Sequence, residues 1–93
     1  MDVVNVENLK KEHGRIFTAK ADGMTAYFRK PTRKELSYAL TLQSKPLEMT
    51  EVLLKQCFVG GDRAMIEETE YLLGCAPIAE KLLEVKQVEL GEA

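Results

Sequence analysis

The sequence holds no tryptophan, a single histidine (His13) and only two cysteines (Cys57, Cys75), and no apolar run exceeds four residues. Each shortage closes a class of function. A structural zinc site needs about four Cys or His ligands at recognisable spacing, and three scattered residues do not provide one, so no metal is expected. Two isolated cysteines with apolar neighbours read as small core residues, since free cysteine is among the most buried residue types. A disulfide would require an oxidising compartment that nothing here suggests. Cys57 with His13 as nucleophile and base lacks a third, orienting group. A membrane-spanning helix needs about 20 apolar residues in succession, so no span is expected. The opening Met1-Asp2-Val3-Val4-Asn5 lacks the basic start and apolar centre of a secretory signal. The expectation is a cytoplasmic protein.

What the chain does contain is ordinary for a globular domain: 93 residues, 45% hydrophobic and 30% charged. Domains typically hold about 100–150 residues, so residues 1–93 are read as one domain. Net charge is −2, unevenly spread. Residues 1–46 carry nine Lys/Arg against five Asp/Glu, a balance of +4, and residues 47–93 carry four against ten, a balance of −6. Opposite fields on the two halves favour self-association, as a homo-oligomer, or a partner with charge of its own.

Along the chain, Val3, Val6, Leu9 and Lys10 share helical spacing and Gly14 sits where a helix would stop, giving an N-terminal helix or arm over 1–14. Residues 15–30 form a β-hairpin. Asp22-Gly23 is a strong turn signal because a two-residue turn of the required hand needs positive φ at both positions. Pairing about that turn sets Ala21 opposite Met24, Ala19 opposite Ala26 and Phe17 opposite Phe28, all on one face because side chains alternate along a strand. A lone hairpin is marginal in water, so this face must lie on helices. Pro31 ends the second strand. Thr32 with Glu35 three residues on is a capping box, opening a helix to about Gln43 with Leu36, Ala39 and Leu40 on one stripe. The cap predicts that Thr32→Ala costs about 1 kcal/mol and Glu35→Ala less. Ser44-Lys45-Pro46 breaks the helix. Pro46 then suits the start of the next, which carries Val52, Leu53, Leu54, Cys57 and Phe58 and stops at Gly60-Gly61, with Asp62 as the next cap. Residues 64–85 again have helical spacing, broken near Gly74 and Pro77. The architecture expected is α+β, an N-terminal β-hairpin packed against a bundle of three to four short helices, with the helical part over 32–86 and a frayed acidic tail over 87–93.

The best candidate surface is the run of cations Arg29, Lys30, Arg33 and Lys34 around the strand–helix junction. As four exposed charges they could bind phosphates or an acidic protein segment; a solvated junction is the plain alternative. Cations in a helix's first turn oppose the macrodipole, a mild cost that suggests use. Nucleic acid is not expected, because the chain is acidic and only Tyr27 lies near enough to stack on a base. Tyr38 with Leu42 and Tyr71 with Leu72 and Leu73 put apolar residues on more than one helical stripe. That is either a wide core-facing arc or a groove for a partner or a second copy. Gly60-Gly61 lacks the Lys and Ser/Thr of a phosphate loop. Glu67, Glu68 and Glu70 read as a helix start favoured by the dipole.

The block Tyr27-Phe28-Arg29-Lys30-Pro31-Thr32-Arg33-Lys34-Glu35-Leu36 resembles that of small tail assembly chaperones of phages and prophages. Leu53-Leu54-Lys55-Gln56-Cys57-Phe58-Val59-Gly60-Gly61-Asp62 is similar to the same group, as a helix closing on a glycine turn. The resemblance implies a non-enzymatic protein without cofactor that acts in the host cytoplasm. It would keep a tape-measure protein soluble and help recruit tail-tube subunits. The alternative is a small bacterial interaction or regulatory module in a larger complex.

Overall fold

A computed structural model describes residues 5–83 and 87–93. The first helix, α1 (Val6–His13), is capped by the Asn5 side chain, which accepts from the Asn8 N–H at 3.1 Å, and it closes on Gly14 at φ 80°. Val3, expected in this helix, lies outside the described residues.

The hairpin follows, with β1 (Ile16–Ala21) and β2 (Met24–Arg29) antiparallel in the register expected: Phe17 opposite Phe28, Ala19 opposite Ala26 and Ala21 opposite Met24. Asp22 at φ 50° and Gly23 at φ 77° supply the left-handed pair that the turn needs. Phe17, Ala26 and Phe28 are buried, and Ala19, Ala21 and Met24 pack on the same core at its rim.

Thr32 caps α2 (Arg33–Leu40) as a complete capping box. The regular helix stops three residues short of Gln43. Over the last turn the N–H groups of Thr41, Leu42 and Gln43 reach back three residues, to Tyr38, Ala39 and Leu40, the tightening that often ends a helix. Pro46 opens α3 (Pro46–Cys57), where its missing N–H costs nothing.

The segment after α3 corrects the sequence reading. Phe58–Gly61 is not the end of a helix but a third strand, β3, antiparallel to β2, with Phe58 opposite Phe28 and Gly61 opposite Ala26. The span 32–86 is therefore not wholly helical, and the hairpin is two-thirds of a sheet ordered β1-β2-β3. Gly61 makes this pairing feasible: at φ 99°, any Cβ would collide with the Thr25 carbonyl oxygen. Asp62 does not cap the next helix with its side chain. Its carboxylate accepts from the Thr25 N–H at 3.0 Å and its own N–H donates to the Thr25 carbonyl at 2.8 Å, extending the β2–β3 ladder.

Three short helices complete the described chain: α4 (Ala64–Glu67), α5 (Thr69–Gly74) and α6 (Ala76–Leu82). The break expected near Gly74 and Pro77 falls at Cys75, with Pro77 in the first turn of α6. A second break, at Glu68, where the backbone is extended, has no signal in the sequence. Val85 lies outside the described residues, and 87–93 is exposed and irregular.

The architecture is thus α+β, an antiparallel sheet at the N-terminal side with several short helices. Phe28, Leu53, Leu54, Cys57, Met65, Ile66 and Cys75 are its largest fully buried side chains, drawn from β2, α3, α4 and the α5–α6 junction. Phe28 meets Phe58 edge to face, centroids 6.1 Å apart, one of the preferred aromatic geometries. Leu40, which shares a stripe with Leu36 and Ala39 by spacing, is 41% exposed, and of Leu72 and Leu73 the first is buried and the second 52% exposed. No helix among the described residues is long and apolar enough to cross a membrane.

Candidate binding surface at the strand–helix junction

The cations grouped by sequence have different fates. Arg29, the last residue of β2, turns its guanidinium under the start of α2. It donates to Glu35 Oε1 at 2.7 Å and Oε2 at 2.8 Å, to the Gln56 carbonyl at 2.9 Å and to the Lys30 carbonyl at 3.1 Å. The Arg29 and Glu35 side chains are only 19% and 22% exposed. This forked pair has the planar match that makes arginine–carboxylate contacts strong. Glu35 Oε1 also accepts from the Thr32 N–H at 2.9 Å while Thr32 Oγ1 accepts from the Glu35 N–H at 3.2 Å. One carboxylate therefore ties the end of β2, the start of α2 and, through Arg29, the end of α3. The Arg29 hydrogen bonds hold the Glu35 carboxyl down at about 2, against burial, and Glu35 in turn raises Arg29. The expectation that Arg29 is an exposed charge is corrected: it is a brace of the fold.

Lys30 leans the other way. Its Nζ donates to the Lys81 carbonyl near the end of α6 at 3.2 Å, where the helix dipole favours a cation, and lies 5.8 Å from the Phe17 ring centre. Arg15 covers the same ring at 4.7 Å. The remaining two cations, Arg33 and Lys34, stand exposed in the first turn of α2 and enter no ion pair or hydrogen bond among the described residues. Tyr38, 54% exposed, is one turn on from Lys34, so the two share a helix face. The structure thus sets Lys34 and Tyr38 on one face of α2, with Arg33 on the neighbouring face of the same first turn. Tyr71 is not part of this surface: its hydroxyl donates to Asp22 Oδ2 at 2.6 Å, pinning α5 to the hairpin turn, and that bond raises its pKa.

The two cysteines are committed to the core. Burial pushes the Cys57 thiol up to about 11 and raises Cys75, whose Sγ faces the Met65 carbonyl. Both stay protonated thiols at neutral pH and are poor nucleophiles. Among the described residues no three or more His, Cys, Asp or Glu side chains are grouped to hold a metal ion.

Away from the junction, an open groove of about 990 Å³ runs between α1 and the outer face of the sheet, with Asn8 and Glu12 on one side and Thr25, Tyr27, Gly60 and Asp62 on the other. The sequence carries no signal for this groove, because one wall is β3, whose Gly60-Gly61 favours a helix end by local propensity. No protein-family model, curated protein or solved structure matches this chain.

Proposed function

We propose that the protein acts by binding another protein rather than by catalysis, as a small assembly chaperone of the phage or prophage tail type. In that role it would hold a tape-measure protein soluble in the host cytoplasm and present it to tail-tube subunits. The resemblance of residues 27–36 to such chaperones suggests the partner; that of 53–62, as a helix closing on a glycine turn, lends no support because 58–61 is a strand. The observation that carries the reading is the contrast at the junction. Arg29 and Glu35 are consumed by the fold, yet Arg33 and Lys34 stay exposed at a helix start where cations are disfavoured, Lys34 on the face that carries Tyr38 one turn on. Exposed arginine and tyrosine are residue types that dominate interface energetics, and they suit an acidic helical or extended segment.

Co-expression tests it. A tape-measure protein that aggregates alone stays in the soluble fraction with this chain and returns to the pellet with Arg33→Glu/Lys34→Glu. If the native chain leaves it in the pellet, the chaperone reading fails.

A further inference from the structure

Among the described residues β1 is an edge strand of the sheet, with no strand beyond it. The residues flanking a two-residue hairpin turn form a hydrogen-bonded pair, and such pairs alternate with non-bonded ones along an antiparallel ladder. Ala21, Ala19 and Phe17 therefore bond to β2, and the N–H and C=O groups of Ile16, Thr18 and Lys20 point away from it. Among the described residues no backbone group of another element bonds to these three. A regular six-residue edge is a template for another strand.

The same sequence carries a strand-like segment without a sheet. Residues 87–93 have no regular structure, and Val88 and Leu90 are 74% and 90% exposed. Val88, Glu89 and Leu90 alternate apolar, acidic, apolar, the period of a strand with one buried face. Set beside β1, Val88 and Leu90 extend the inner face of Phe17, Ala19 and Ala21, whose two alanines leave the rim of the core thinly covered. Glu89 then falls on the outer face, with Thr18 and Lys20. Charge favours the match: residues 87–93 carry Glu89 and Glu92 and no cation, whereas β1 carries Lys20 and follows Arg15.

We propose that the occupant of the β1 edge is residues 87–93 of a second copy, each copy donating one segment and receiving one. A reciprocal two-fold exchange covers the β1 edge of each copy and stops at a dimer.

Sedimentation velocity and amide hydrogen exchange test this on four chains: the full chain, a chain ending at residue 86, and the variants Lys20→Glu and Glu89→Lys, with their double variant as a control. The apparent mass of the full chain doubles as concentration rises, and the amides of Ile16, Thr18 and Lys20 gain protection in step. The truncated chain stays monomeric. Each single charge reversal raises the dimer dissociation constant roughly tenfold, as expected when an opposite-charge cross-strand pair becomes a like-charge one, and the double variant recovers most of the loss. A full chain that stays monomeric throughout overturns the proposal, as does a truncated chain that dimerises as tightly. So does concentration-independent protection of the three amides, which would place the segment on its own β1 edge or another group over it.

Discussion

Glu35 has two jobs that spacing along the chain shows only in part. Its relation to Thr32, three residues away, is a local motif and was legible. Its fork onto Arg29, six residues back across Pro31, depends on how strand and helix fold over each other, and nothing in the spacing announces it. The energetic consequence reverses the sequence-based expectation: Glu35→Ala destabilises more than Thr32→Ala, whose loss remains about 1 kcal/mol. Arg29→Met, which strands the Glu35 carboxylate and the Gln56 carbonyl, costs about 2–3 kcal/mol. Denaturant melts of the three variants check the ranking. The pair also sets an acid limit. A carboxyl held at about 2 in the fold, against an ordinary 4.5, contributes stability that is fully present above 4.5 and drains away as pH falls towards 2. Unfolding free energy therefore drops through that window in the native chain, and Arg29→Met flattens that part of the slope.

Elements differ in how far they are encoded locally. The hairpin is written in contiguous residues, with Asp22-Gly23 fixing the turn and the alternation of Phe17, Ala19 and Ala21 with their partners fixing the buried face. It was readable to the residue. β3 is four residues, two of them glycine, directly after a helix, so local propensity favours a helix stop. Only pairing with β2, more than 25 residues earlier in sequence, makes it a strand. Leu40 and Leu73 illustrate the same limit, since helical spacing defines a stripe but not which neighbours cover it. Two substitutions separate these contributions. Phe28→Ala, at the centre of the core and against Phe58, costs about 3–5 kcal/mol. Gly61→Ala forces a Cβ into the Thr25 carbonyl at a backbone angle that favours glycine. It should detach β3, lowering the melting temperature and deprotecting the Asp62 amide while the β1–β2 amides stay protected. Loss of protection across all three strands at once would mean that the sheet opens as one unit.

At the scale of the whole molecule, the basic run at the junction resolves into three fates: Arg29 braced inside, Lys30 tied to α6, and Arg33 with Lys34 turned outward in the first turn of α2. Composition showed the imbalance but could not sort these fates, because each depends on contacts between elements distant in sequence. The candidate surface is thus smaller than the basic run suggested, and it can be altered without touching the brace. Reversing Arg33 and Lys34 should change stability by about 0.5 kcal/mol or less at each site, whereas reversing Arg29 would confound folding with binding. The most direct measurement is the affinity of the native chain and of Arg33→Glu/Lys34→Glu for a tape-measure segment by titration calorimetry at low and high salt. Circular dichroism melts confirm that both chains are folded. The native protein should bind, and bind more weakly as salt rises and screens exposed charge; the reversed protein should bind at least tenfold more weakly, with little remaining salt dependence. Equal affinity of the two folded proteins at both salt concentrations would contradict the assignment of binding to Arg33 and Lys34 in the first turn of α2.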